Sequence, residues 1–245
     1  LDREGVQYFL DFVSTIRDQQ PDMPIVYSAY EHELLPTVLP ELANRGVKFV
    51  EFVDPGPLGG HSTSENILRQ VHSCWNGLTY LNSIGASTAV RARTDQRFDL
   101  NRLVAAVSGI RRLVDDQGEP TSRILGSSLN TFKNRPFGVS DMLLVADTTQ
   151  LIRFFEKCDA QSYYTDRTVV ARRFPVLGPL QLDAPEVFLG ARYMASKALE
   201  PGENAVEAFW GRHFGILPAT YISHSWRRQP TWQHGSGHLW RKPES

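Results

Sequence analysis

Only two cysteines, Cys74 and Cys158, occur in 245 residues, too few and too far apart to frame a small disulfide-stapled fold. They suit a reducing compartment, the cytoplasm by default. No apolar stretch approaches the roughly 18 residues that span a bilayer, and the start of the chain lacks the pattern of a signal peptide. An excess of one charge is missing as well: 26 Lys plus Arg against 27 Asp plus Glu leave a formal net charge of −1. Duplex nucleic acid or an anionic membrane surface calls for a basic footprint that this balance does not supply, so any anionic ligand has to be held locally. Internal repeats, low-complexity runs and Gly/Ser linkers are absent, and the 15 prolines are scattered as turn punctuation. The chain has no Walker loop, no GxGxxG opening a helix, no GxSxG and no HExxH. Common nucleotide hydrolases, dinucleotide-binding dehydrogenases, α/β-hydrolases and zincins lose support accordingly. The start at Leu1, without an initiator methionine, points to an excised domain or a trimmed chain.

What is present is a hydrophobic content of 41%, enough for one large domain over residues 1–245 with a substantial core. Val6, Phe9, Leu10, Val13 and Ile16 recur at helical spacing and predict a leading helix over 1–20. A strand at 24–30, a helix at 37–44 closed by Gly46 and a strand at 47–53 make a βαβ unit. Ser62 to Glu65 offers a capping box for a helix carrying Ile67, Leu68, Val71, Trp75 and Leu78 on one face. Further strands are expected at 87–95, 122–129, 140–146 and 219–223. Helices are expected after Asp99, at 148–157 capped by Asp147, from Pro185 to about Lys197, and at 204–212. Strands alternating with helices predict an α/β fold, a mostly parallel central sheet with helices on both faces. The aromatic, basic, Gly-rich tail over 224–245 is assigned no regular structure.

Three charges stand out. Arg91, Arg93 and Asp95 share one face of a predicted interior strand, since successive side chains alternate. Buried charges persist when paired or when they meet a ligand, and open α/β sheets bind ligands beyond the carboxyl ends of their strands. Asp95 is suited to hold Mg²⁺ or Mn²⁺, and the arginines to clamp phosphate or carboxylate oxygens. An internal Arg–Asp network is the structural alternative. Glu186, after Pro185 in a helix first turn, can serve as a base or simply as a favourable helix-terminal charge. Asp141 follows a loop whose Lys133 and Arg135 suit an anion or an acceptor sugar, or mark an ordinary solvated turn. Of seven histidines only His234 and His238 have i, i+4 spacing, and no Cys or acid joins them. His224, after the last predicted strand, is a candidate extra metal ligand.

Glu65-Asn66-Ile67-Leu68-Arg69-Gln70-Val71, Asn76-Gly77-Leu78, Arg91-Ala92-Arg93-Thr94-Asp95, Arg135-Pro136-Phe137-Gly138-Val139-Ser140-Asp141 and Pro185-Glu186 follow one another in an order that resembles the WavE family of lipopolysaccharide-synthesis proteins. The resemblance covers about residues 24–200. Ile25 to Glu31 looks like the first strand and nucleotide loop of such proteins, with Ala29-Tyr30 where the family more often has Thr-Trp.

The resemblance implies a single GT-A-like, Rossmann-like domain and a bacterial glycosyltransferase, cytoplasmic or at the inner face of the cell membrane. It would take a nucleotide-diphosphate sugar donor and a glycan or lipid-linked glycan acceptor, in lipopolysaccharide or capsule synthesis. Arg93 takes the first position of the Asp-x-Asp motif that many such enzymes use to bind a divalent metal and the donor diphosphate. An arginine there can neutralise a diphosphate without a metal. In this reading Arg91, Arg93, Asp95, Tyr30 and Arg69 bind the donor, Lys133 and Arg135 the acceptor, Glu186 or Asp141 acts as base, and Asp95 and His224 hold any metal. Trp226, Trp232 and Trp240 would form a lid or acceptor platform. Two other functions fit the same residues: a non-catalytic carbohydrate- or phosphate-binding module of a larger synthase, and a transferase with a donor of the phosphoribosyl-pyrophosphate type.

Overall fold

The computed structural model describes residues 3–31, 38–58, 66–116, 123–129, 131, 137–175, 177, 182–197 and 212–227. Along them run α1 (Arg3–Gln19), β1 (Ile25–Tyr30), α2 (Val38–Asn44), β2 (Val47–Phe52), α3 (Ile67–Ser83), β3 (Thr88–Ala92) and β4 (Gln96–Arg97). There follow α4 (Leu100–Asp116), β5 (Ile124–Ser127), β6 (Leu143–Asp147), α5 (Thr148–Phe154), α6 (Ala160–Arg173), α7 (Pro185–Ser196), β7 (Phe214–Leu217) and β8 (Ser225–Trp226).

Two-residue alternation decides which helices cover which face of the larger sheet. In β6, Leu144 and Ala146 join the core built with α3, α5, α6 and α7, whereas Leu143 and Val145 join Phe12 and Ile16 of α1 and Leu103 and Val107 of α4. Ile124 and Leu125 divide in the same way, as do Phe214 and Leu217. A strand covered on both faces reads as a continuous apolar run, and each buried Leu or Val contributes about 1.5–3 kcal/mol relative to exposure. The helices on both faces are therefore as the α/β pattern predicts. A third cluster, with Leu10, Val13, Tyr27, Ala29, Leu42 and Val47, seats α1 and α2 on the β1–β2 pair.

The sheet itself differs from expectation. The larger one has four strands in the order β3-β6-β5-β7; β3–β6 and β5–β6 are antiparallel and only β5–β7 is parallel. β1 and β2 form a separate parallel pair. A parallel neighbour needs a long crossover and an antiparallel one does not, and the described residues between β5 and β6 contain no helix. β3 is an edge strand rather than an interior one, and it stops at Ala92, short of the predicted 95.

Asp99 caps α4 as expected, accepting from the Arg102 N–H at 3.0 Å. Asp147 precedes α5 without a capping bond and instead accepts from Arg111 Nη2 at 2.9 Å. The predicted capping box at 62–65 lies outside the described residues, and so does 204–211 of the predicted helix at 204–212. The predicted last strand at 219–223 is a series of turns, with β7 just before it and Pro218 between. The tail assigned no structure begins with β8, which pairs with β4.

Two close approaches need glycine. A Cβ on Gly77 of α3 would lie 3.2 Å from the Ser28 Cβ, so α3 sits hard against β1. On Gly190 of α7 it would lie 2.0 Å from the Phe137 carbonyl oxygen, a contact no side chain could accept without backbone movement. Phe137 is itself fully buried with φ of 59°, an uncommon conformation for a bulky residue, and the turn it makes leads directly to Asp141.

Candidate functional site

β1 and β3 each present an edge with no strand partner among the described residues, and a cleft of about 920 Å³ separates them. α3 lines it with Arg69, Gln70, Ser73, Cys74 and Gly77, residues at i, i+3, i+4 and i+7 from Gln70 onward that leave one helix face without bulk. Tyr30, Arg69, Arg91, Arg93 and Asp95, the predicted donor-binding set, all line it, and so does Arg227. Among the described lining residues Asp95 is the one carboxylate, facing four arginines. The whole chain is close to neutral, so this basic concentration is local.

Arg91 projects to the α3 side of β3. Its Nη2 lies 3.9 Å from Asp141 Oδ2, and its guanidinium is 5.8 Å from the Phe155 ring centre. Nη1 is buried and has no hydrogen-bond partner among the described residues. Burial acts to lower the Arg91 pKa, and the adjoining Cys74 and Asp141 more than offset it, so the cation persists. Burial pushes the Cys74 thiol up against the opposing pull of Arg91, which keeps it protonated. Asp141 also accepts from Gln70 Nε2. A buried guanidinium held loosely by one carboxylate, with a nitrogen to spare at a cleft, is suited to grip an anion.

Arg93 forks onto Asp95, Nε to Oδ1 at 3.0 Å and Nη2 to Oδ2 at 3.1 Å. Trp226 Nε1 donates to the same Oδ2 at 2.8 Å, and the Arg227 N–H to the Asp95 carbonyl at 2.8 Å. Asp95 is buried; the Arg93 side chain is 37% exposed. At the other end, Arg69 stacks over Tyr30, 4.8 Å from the ring centre, and forks onto Asp54 at 2.8 and 2.7 Å. That hydrogen bonding from Arg69 holds the Asp54 carboxyl below its usual range.

The remaining predicted residues are placed elsewhere. Asp141 is buried behind Arg91 and reaches the cleft only through Arg91 and Gln70. Glu186 is buried in the first turn of α7 and is not among the residues lining the cleft. Lys133 and Arg135 lie outside the described residues. His224 is buried against Ser127, its Nδ1 2.7 Å from the hydroxyl. Ser127 Oγ also accepts from the Leu129 N–H. Nε2 is buried without a partner among the described residues. Burial lowers the His224 pKa to about 4, against a weaker opposing pull from Asp95.

The donor set does not fit Mg²⁺ or Mn²⁺. Such ions need several oxygen ligands. The one carboxylate of the cleft has both oxygens occupied by N–H donors, and a cation stands where a second acid would be. Among the described residues no group of three or more His, Cys, Asp or Glu is placed to hold a metal ion.

Sequence reasoning missed Gln70, Cys74 and Arg227 as cleft residues. The unbulky stripe on α3 was the available signal for the first two; Arg227 gave none, because its position depends on the β4–β8 pairing.

Fold and site thus define an α/β protein with an arginine-lined cleft between two sheet edges. No family model matches the chain, and no curated protein matches it.

Proposed function

We propose that the chain is a GT-A-like glycosyltransferase of the WavE type, moving a sugar from a nucleotide-diphosphate donor to a glycan acceptor in bacterial surface polysaccharide synthesis, at the cytoplasmic side of the cell. The observation that carries this reading is the convergence of Arg69, Arg91, Arg93 and Arg227 with Tyr30 on one cleft large enough for a sugar nucleotide. Tyr30 offers an aromatic face to the base, and Arg91 and Arg93 offer guanidinium groups to the diphosphate. In the transfer, the bond from the anomeric carbon to the donor phosphate oxygen breaks, and both its electrons leave with the phosphate. The acceptor hydroxyl oxygen forms the new bond and gives up its proton. Charge grows on the departing phosphate, where fixed cations stabilise the transition state more than the ground state. Asp141 serves this chemistry by holding Arg91. Glu186 and Asp141 are candidates for the base by chemistry rather than by position.

That last point favours a second reading. A binding module needs no base, and neither predicted base lines the cleft. Incubating the protein with a panel of sugar nucleotides and glycan acceptors separates the two. A transferase releases nucleoside diphosphate, and Arg93→Met slows the release roughly 100-fold, as for removal of one oxyanion-stabilising donor. Glycan binding with no release from any donor establishes the module instead.

A further inference from the structure

The disagreement between Asp95 and a metal site has a sharper content. Arg93 gives Nε and Nη2 to a carboxylate that belongs to the protein; that carboxylate also accepts from the Trp226 indole at Oδ2, and the Arg227 N–H holds the Asp95 backbone carbonyl. A carboxylate forked by a guanidinium and a phosphate forked by a guanidinium use the same two parallel N–H bonds. Arg93 is part-exposed at the cleft, whereas Asp95 is buried. Arg93 can turn from Asp95 toward the cleft, but Asp95 cannot follow, being pinned by Trp226. Arg91, two residues earlier in β3, has a buried Nη1 with no hydrogen-bond partner among the described residues. Resting on the reading of the cleft as a diphosphate site, we propose that Asp95 is a resident stand-in for the ligand's phosphate on Arg93, and that the cleft takes a nucleoside diphosphate on guanidinium groups in place of a divalent cation. Asp95 is then a competitor of the ligand and a positioning residue for the empty site.

This assignment reverses the sign of the obvious mutation. A metal ligand, when removed, weakens diphosphate binding; a competing carboxylate, when neutralised, strengthens it. Asp95→Asn keeps an oxygen for the Trp226 indole and removes only the charge. The test is calorimetric titration of the wild type and Asp95→Asn with the common nucleoside diphosphates and with inorganic pyrophosphate, in EDTA and again with Mn²⁺. The wild type binds in EDTA and Mn²⁺ does not tighten the binding. Asp95→Asn binds roughly threefold to tenfold more tightly in EDTA, the size of one unit charge a few ångströms away in a half-solvated site. Binding that needs Mn²⁺, or that weakens in Asp95→Asn, overturns the stand-in and leaves the diphosphate reading standing. No binding in either buffer overturns both. Should Asp95→Asn fail to fold, the wild-type comparison in EDTA and Mn²⁺ decides alone.

Discussion

Burial disfavours the charged form of the His224 imidazole, and that has a consequence for acid stability. In the unfolded chain an imidazole titrates near 6.5, in the fold at about 4. Below pH 6.5 the unfolded state takes up the proton first, so stability present at neutral pH falls as the pH drops and levels off near the folded value. The loss from this one group is about 3 kcal/mol. Burial also lowers His72 and His213, which steepens the same fall. Melting temperature measured from pH 7.5 to 4 is expected to fall less for His224→Asn, which keeps a polar partner for Ser127, than for the wild type. Parallel curves would show that the imidazole is solvated. At this scale the sequence was informative about residue types and less so about their partners. The alternation expected to put Arg91, Arg93 and Asp95 on one strand face reaches only Arg91, because β3 ends at Ala92; the Arg93–Asp95 pairing and the Trp226 bond join residues whose proximity depends on a turn and on a distant strand.

Between elements, the contact of α7 with the turn at Phe137 shapes the site most. The turn fixes Asp141, Asp141 holds Arg91, and the backbone oxygen of Phe137 occupies the space a side chain at position 190 would need. Gly190→Ala is therefore expected to cost about 1–3 kcal/mol by overpacking, read as a lower urea midpoint at unchanged slope. A midpoint equal to the wild type's would mean that α7 stands further off. Helices with a clean apolar stripe, α3 and α4, were legible in the sequence, as was the Pro185 start of α7. α6 was not: it is largely polar, and only Tyr163 and Val170 are buried, so it shows no stripe to read. Strand direction was illegible for a different reason. Alternating strands and helices suggest crossovers, but β3, β5 and β6 are joined by long-range pairing that no local pattern encodes.

Over the whole molecule, positive charge gathers where two sheets fail to join. Each arginine of the cleft has a carboxylate: Arg69 has Asp54, Arg91 has Asp141, Arg93 has Asp95 and Arg227 has Glu4. Near-neutrality overall thus coexists with a cleft that presents cations inward. Among the described residues no helix is long and apolar enough to cross a membrane. Arg91, the buried charge of the edge strand β3, borders the gap between β1 and β3, where the proposed diphosphate would lie. The most direct measurement is a crystal structure of the protein soaked with a sugar nucleotide. The account predicts diphosphate density in that gap, within hydrogen-bond distance of the Arg91 and Arg93 guanidinium groups. Density for the diphosphate elsewhere, with Arg91 still facing Asp141 alone, would contradict it.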